Sequence, residues 1–408
     1  MLKFRCRAQC LLLITLVTLL CGCGGGAGGS SSLSGGGIIS TTGSNVATLL
    51  VDGGSEGIIN APYVSVTVCR PGSSTCVTID HILVDTGSVG LRIMGSLLSG
   101  INLPVAVDSA GNPFHECVGF VDGYTWGPLV TADVTIGGEL ASNLTINVID
   151  DATPPSVVAP TDCSGVSPSI NSVPRFGANG ILGVQFFKED CPLCSSQVIP
   201  GTYYICPGSV CQGATVTFAQ QVHNPVIHFA TNNNGIIIQL PSISSAGAFG
   251  ARGALIFGID TQSNNTLGTA TALTVDPVTG YLSTFYYGQN LTKSFFDSGS
   301  SGNYFNDSAL PQCTSGFAQG FYCPASVQTL SATIVSYNGV SKSVNFNVAN
   351  AETLTNNQPD YTAFANLAGT NPISTSFDWG LPFFFGKSVY VAIEGQTTSS
   401  GTGPFIAY

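Results

Sequence analysis

Residues 81–93 read HILVDTGSVGLRI, and 212 residues after Asp85 the pattern returns at 294–305 as SFFDSGSSGNYF. In each, an apolar run ends in an Asp, a hydroxyl residue, a Gly and a Ser. One Asp-Thr-Gly is weak, because Asp and Gly are ordinary turn residues of any β-protein. Two full copies raise a sharper question: whether Asp85 and Asp297 are two unrelated turns or two halves of one site. Each copy is followed by a Gly-bearing apolar segment, NGILGVQFF at 179–187 and DWGLPFFF at 378–385. The order motif, apolar-Gly, motif, apolar-Gly predicts two similar lobes in tandem, over residues 44–234 and 235–408.

The chemistry of such a pair is specific. Two carboxylates about 3 Å apart resist ionising together and share a proton, so one is base while the other is acid. They titrate as a pair rather than as independent sites. The residues after each Asp have roles of their own. Gly87 and Gly299 allow a tight turn and close approach of backbone N–H groups to the carboxylate. Thr86 and Ser298 can bridge to the opposite loop. Ser88 and Ser300 can hydrogen-bond the outer carboxylate oxygen and keep it charged. The pattern calls for neither a metal nor a cofactor.

The rest of the chain is consistent with a β-rich body. Its 408 residues include 50 Gly and 22 Pro, and only 8% are charged. Short β-branched runs such as YVSVTVC, ADVTIGG, LTINVID, GIIIQLP, GALIFGID, SATIVSYNG, SVNFNVA and KSVYVAIEG are bounded by Gly, Asn, Asp or Pro and predict strands. Asn338-Gly339 suits a type I′ hairpin turn. The formal charge is −11 with no basic cluster, which argues against nucleic acid and against an electrostatic membrane patch.

The first residues have the form of a targeting segment. Lys3, Arg5 and Arg7 precede the apolar run LLLITLVTLLCG, and LCGC places Gly22 before Cys23. This resembles the lipobox of bacterial lipoproteins, which implies a signal peptide over 1–22, lipidation at Cys23 and a Gly/Ser-rich tether over 23–43. Gly24 after the Cys implies an outer-membrane destination in the cell envelope, with the lipid anchor as the sole membrane contact.

Ten cysteines follow Cys23. An even number in an exported chain predicts disulfides. Cys69–Cys76 and Cys313–Cys323 are natural short loops, Cys191, Cys194, Cys206 and Cys211 pair among themselves, and Cys117 is left for Cys163. A zinc site at CPLC is the rival reading. His81, His115, His223 and His228 are scattered and suggest neither a metal cluster nor a triad.

VDTGS and FDSGS resemble the two active-site motifs of the pepsin-like aspartic proteases, and further matches run over nearly the whole body. ANGILGVQFF is similar to the family's first-lobe segment behind the catalytic loop. GALIFGIDTQSNNTLGTATALTV is similar to the start of its second lobe, and GLPFFFGKSVYVAIEG to its closing strands. The resemblance implies a mainly β, bilobal pepsin-like fold with a cleft between two lobes. It implies a monomeric endopeptidase taking an extended peptide of roughly six to eight residues, with an acidic optimum and catalytic Asp85 and Asp297. It places a substrate flap in GFVDGYTWGPLVTADVTIGG, with Tyr124 and Trp126 at the flap; Phe120 is the alternative in a gapless alignment. Two departures stand out: VGLR, with Gly90 and Arg92, follows the first motif, and Asp378-Trp379 replaces two apolar residues before Gly380. The closest resemblance is to an uncharacterised family of bacterial lipoproteins. The alternatives to an enzyme are a catalytically inactive pepsin-like module that binds peptide or protein, and a β-rich lipoprotein with two ordinary turns.

Overall fold

The β-branched runs form strands wherever the sequence places them, and the computed structural model is mainly β. It describes residues 42–408 apart from 154, 166 and 315; the leader, Cys23 and nearly all of the tether lie outside the described residues. Among the described residues helices are short, Ala351–Asn357 being the longest at seven residues. No helix of the described residues is long and apolar enough to cross a membrane.

Among the described residues fifteen strands join in one sheet, seven in a second and two in a third. Val46–Val51 pairs antiparallel with Ala251–Phe257, so the first strand of the body continues into strands of the second half. The boundary at 234/235 falls just before strand Gly235–Leu240, and both halves share this sheet. The 336–340 turn differs from expectation. Only Gly339 has a positive φ, whereas type I′ needs two such residues, and the hairpin closes through Ser336 N–H to Val340 O at 2.8 Å.

One local arrangement occurs twice. Strand Cys76–Asp85 runs parallel to Gly180–Val184, while Val89–Met94 pairs antiparallel with Gly180–Val184 and parallel with Glu139–Ile149. In the second half, Gln289–Phe296 runs parallel to Asp378–Trp379, while Asn303–Tyr304 pairs antiparallel with Asp378–Trp379 and parallel with Ala368–Gly369. The chain order of the four strands is the same in both. Each motif is thus a sharp connection between two strands held by a third.

The glycines of the apolar segments make this packing possible. A Cβ on Gly183 would lie 2.6 Å from the Ser88 carbonyl carbon and the Val89 nitrogen. One on Gly380 would lie 2.0 Å from the Gly302 oxygen. Behind the first loop the core is aliphatic, with Ile82, Val84, Leu91, Ile93 and Leu182 buried. Behind the second it is aromatic: Trp379 stacks on Phe377 at 4.0 Å and packs edge-on against Phe383. The indole N–H of Trp379 meets Thr284 Oγ1 at 3.2 Å.

Candidate active site

The two motif loops meet through reciprocal hydrogen bonds. Thr86 Oγ1 donates to Phe296 O at 2.9 Å and accepts from Ser298 N–H at 2.9 Å. Ser298 Oγ donates to Val84 O at 2.8 Å and accepts from Thr86 N–H at 3.1 Å. Each hydroxyl therefore satisfies one donor and one acceptor of the other loop, in a place where all four groups are buried. Gly87 then lies flat against the opposite carboxyl: a Cβ there would stand 2.8 Å from Asp297 Cγ.

This sets the Asp85 and Asp297 carboxyls beside each other, with Gly87 N–H bonded to Asp85 and its Cα face against Asp297. Both are buried. Asp85 Oδ1 accepts from Gly87 N–H at 2.9 Å, and its Oδ2 accepts a short bond from Ser88 Oγ. Asp297 Oδ1 accepts from Gly299 N–H at 2.8 Å, and its Oδ2 from Ser300 Oγ at 2.9 Å. All eight motif residues read from the sequence are brought together. Burial, then the charge of Asp297, holds the Asp85 carboxyl well above the usual range, only partly opposed by Ser88 and Gly87. The arrangement is a buried pair of carboxyls, each held by one backbone N–H and one serine hydroxyl.

Two ionisable residues beside the pair were legible only as departures from a pattern. Arg92 is 1% exposed; its guanidinium grips Glu116 through Nε at 3.0 Å and Nη2 at 2.6 Å, reaches Asp190 at 3.0 Å, and caps Val89 O at 2.6 Å. Burial opposes the cation, but Glu116 and Asp190 outweigh it and hold it charged. Arg92 thereby fixes the strand that leaves the first loop. Asp378 is the second: its Oδ2 lies 2.7 Å from Ser300 Oγ. Burial, then the Asp297 charge, pushes its carboxyl up.

The hairpin of Phe114–Phe120 and Gly123–Ile136 stands beside the first loop. Glu116 reaches Arg92, so the face it shares with Val118, Phe120 and Thr125 is turned toward the strand that leaves the first loop, where Phe120 packs edge-on against Phe176 at 5.9 Å. Arg92, Val118, Gly87, Ser88 and Glu189 line a cavity of about 370 Å³. Tyr124 and Trp126 lie on the opposite face. Trp126 is buried, packs on Tyr204 at 5.3 Å and donates from its indole to Val157 O at 2.9 Å. Tyr124 lines a separate cavity with Asp150 and Arg175. Strand alternation puts them on the face of Cys117 and its disulfide, opposite Glu116.

The expected cysteine pairs form: Cys69–Cys76, Cys117–Cys163 and Cys313–Cys323, with Cys191–Cys194 and Cys206–Cys211 completing the group left open. The CPLC sulfurs are bonded to each other. His223 Nδ1 and His228 Nε2 are 2.8 Å apart, and burial lowers both.

Fold and site define a mainly β protein with a buried carboxyl pair contributed by two like loops. The chain belongs to a family described as protein of unknown function (DUF3443), whose family model matches residues 41–408. No curated protein matches it.

Proposed function

We propose that this protein is an aspartic endopeptidase of bilobal, pepsin-like architecture, held at a bacterial envelope membrane by a lipid on Cys23. The observation that supports the reading best is the juxtaposition of the buried Asp85 and Asp297 carboxyls by the reciprocal Thr86 and Ser298 bonds. The shared proton gives one carboxylate and one carboxylic acid at the same pH. The carboxylate takes a proton from water as its oxygen attacks the peptide carbonyl carbon, and the acid protonates the carbonyl oxygen. The tetrahedral diol then collapses: the C–N bond breaks, the first carboxyl returns its proton to the amine nitrogen, and a diol proton restores the second. The hairpin carrying Val118 and Phe120 covers an extended peptide, and a substrate side chain enters the cavity beside Gly87 and Ser88.

The test is digestion of a denatured protein mixture between pH 3 and 7, with and without pepstatin. Pepstatin-sensitive cleavage that disappears in Asp85→Asn and in Asp297→Asn is the expected result. Full activity in either variant, or an optimum at or above neutrality, overturns the reading. Tight pepstatin binding without turnover replaces it with a peptide-binding module.

A further inference from the structure

Asp378 stands where the resemblance calls for an apolar residue, and the pair's mechanism does not use it. Its strand, Asp378–Trp379, is clamped between Gln289–Phe296 and Asn303–Tyr304, which aims the side chain at Ser300. Ser300 Oγ lies 2.9 Å from Asp297 Oδ2 and 2.7 Å from Asp378 Oδ2. A serine hydroxyl has one proton and cannot donate to both. If Ser300 gives it to Asp297, Asp378 must supply a proton to close the second contact. If Ser300 gives it to Asp378, Asp297 must supply one.

The surroundings choose between these. Asp297 Oδ1 accepts from Gly299 N–H, so a charge there has donors on both oxygens. Asp378 Oδ1 is buried with no hydrogen-bond partner among the described residues, a poor place for charge. The titratable groups facing Asp378 are Asp297 across Ser300, Asp85 beyond it, and the Tyr304 phenol from the paired strand, itself kept neutral by burial. On the other side of the pair, Ser88 donates to Asp85 and meets no other carboxyl among the described residues.

We propose that Asp378 is a positioning residue that holds a second proton of the site and donates it to Ser300, which makes Asp297 the charged member of the pair. The site then carries two protons on three carboxyls. Asp297 takes the proton from water, and Asp85 holds the one given to the carbonyl. The catalytic half of this inference rests on the aspartic-protease reading; the protonation of Asp378 does not.

Two variants of the purified full-length protein test it. Asn at 378 can donate to Ser300 as a protonated carboxyl does, whereas Leu cannot. Asp378→Asn should keep kcat within about threefold, while Asp378→Leu should lose about tenfold and move the acid limb of the pH–rate profile up by about one unit. A carboxyl neutral in the fold destabilises it as pH rises above the unfolded value near ~4. The melting temperature of Asp378→Asn should therefore match the parent near pH 4 and exceed it by at least about 3 °C at pH 7. A melting difference that does not change with pH overturns the proposal, as does an Asn variant as impaired as Leu. If the parent cleaves nothing, the protease reading fails while the melting comparison still judges Asp378.

Discussion

Thr86 shows how much one hydroxyl decides. It gives Phe296 O a donor and Ser298 N–H an acceptor, and both groups belong to the other half of the chain. Valine has the same shape but supplies neither. Thr86→Val leaves one buried donor and one buried acceptor unsatisfied, at about 1–3 kcal/mol each. Urea denaturation should show a total loss of about 2–5 kcal/mol. Thr86→Ser, which keeps the oxygen and its proton, should recover most of it. If Val and Ser are equally stable, the interlocking hydroxyls do not hold the loops together. The same logic places Asp85 and Asp297: two carboxyls repel when ionised, so their contact survives only because the loops are fixed independently of them.

At the scale of the strands, the repeated arrangement depends on glycine where backbone meets backbone. Gly380 has an ordinary φ of −76°, so its constraint is space rather than conformation. A Cβ would press on the Gly302 and Ser300 carbonyl oxygens, which cannot swing aside as a side chain could. Gly380→Ala should cost about 1–3 kcal/mol and lower turnover more than tenfold, since the second loop must shift. Gly100→Ala meets nothing within 4 Å and serves as the control, staying within about 0.5 kcal/mol. Equal denaturation midpoints for the two would refute the packing argument. The motifs were legible because each Asp, hydroxyl, Gly and Ser acts over three residues and carries its chemistry with it. Asp378 and Arg92 were visible only as departures, because what they touch depends on pairing of distant segments: Ser300 lies 78 residues from Asp378, and Glu116 24 from Arg92. The sequence placed Tyr124 and Trp126 on this hairpin; which of its faces meets Arg92 is set by the Glu116–Arg92 contact, and no local pattern encodes it.

Across the whole molecule, a chain with 8% charged residues and little helix gains much of its order from long-range pairing, and cross-links shorten the search. Among the disulfides the separations differ widely, from 3 residues for Cys191–Cys194 to 46 for Cys117–Cys163. The even cysteine number made disulfides legible, and the short loops named two pairs outright. Cys117–Cys163 joins the hairpin beside the carboxyl pair to the segment that packs on Trp126. Loop-closure entropy puts the loss for Cys117→Ala with Cys163→Ala at about 4 kcal/mol, against about 1.5 kcal/mol for Cys191→Ala with Cys194→Ala. Guanidinium unfolding of the two double variants should rank them in that order. On the protease reading proposed above, the first should also cleave more slowly even well below its melting temperature, because the hairpin bearing Val118 and Phe120 loses its tether. The second should turn over like the parent. Reversal of the order would mean that strain or residual structure in the unfolded chain, and not loop length, sets the contribution of each cross-link.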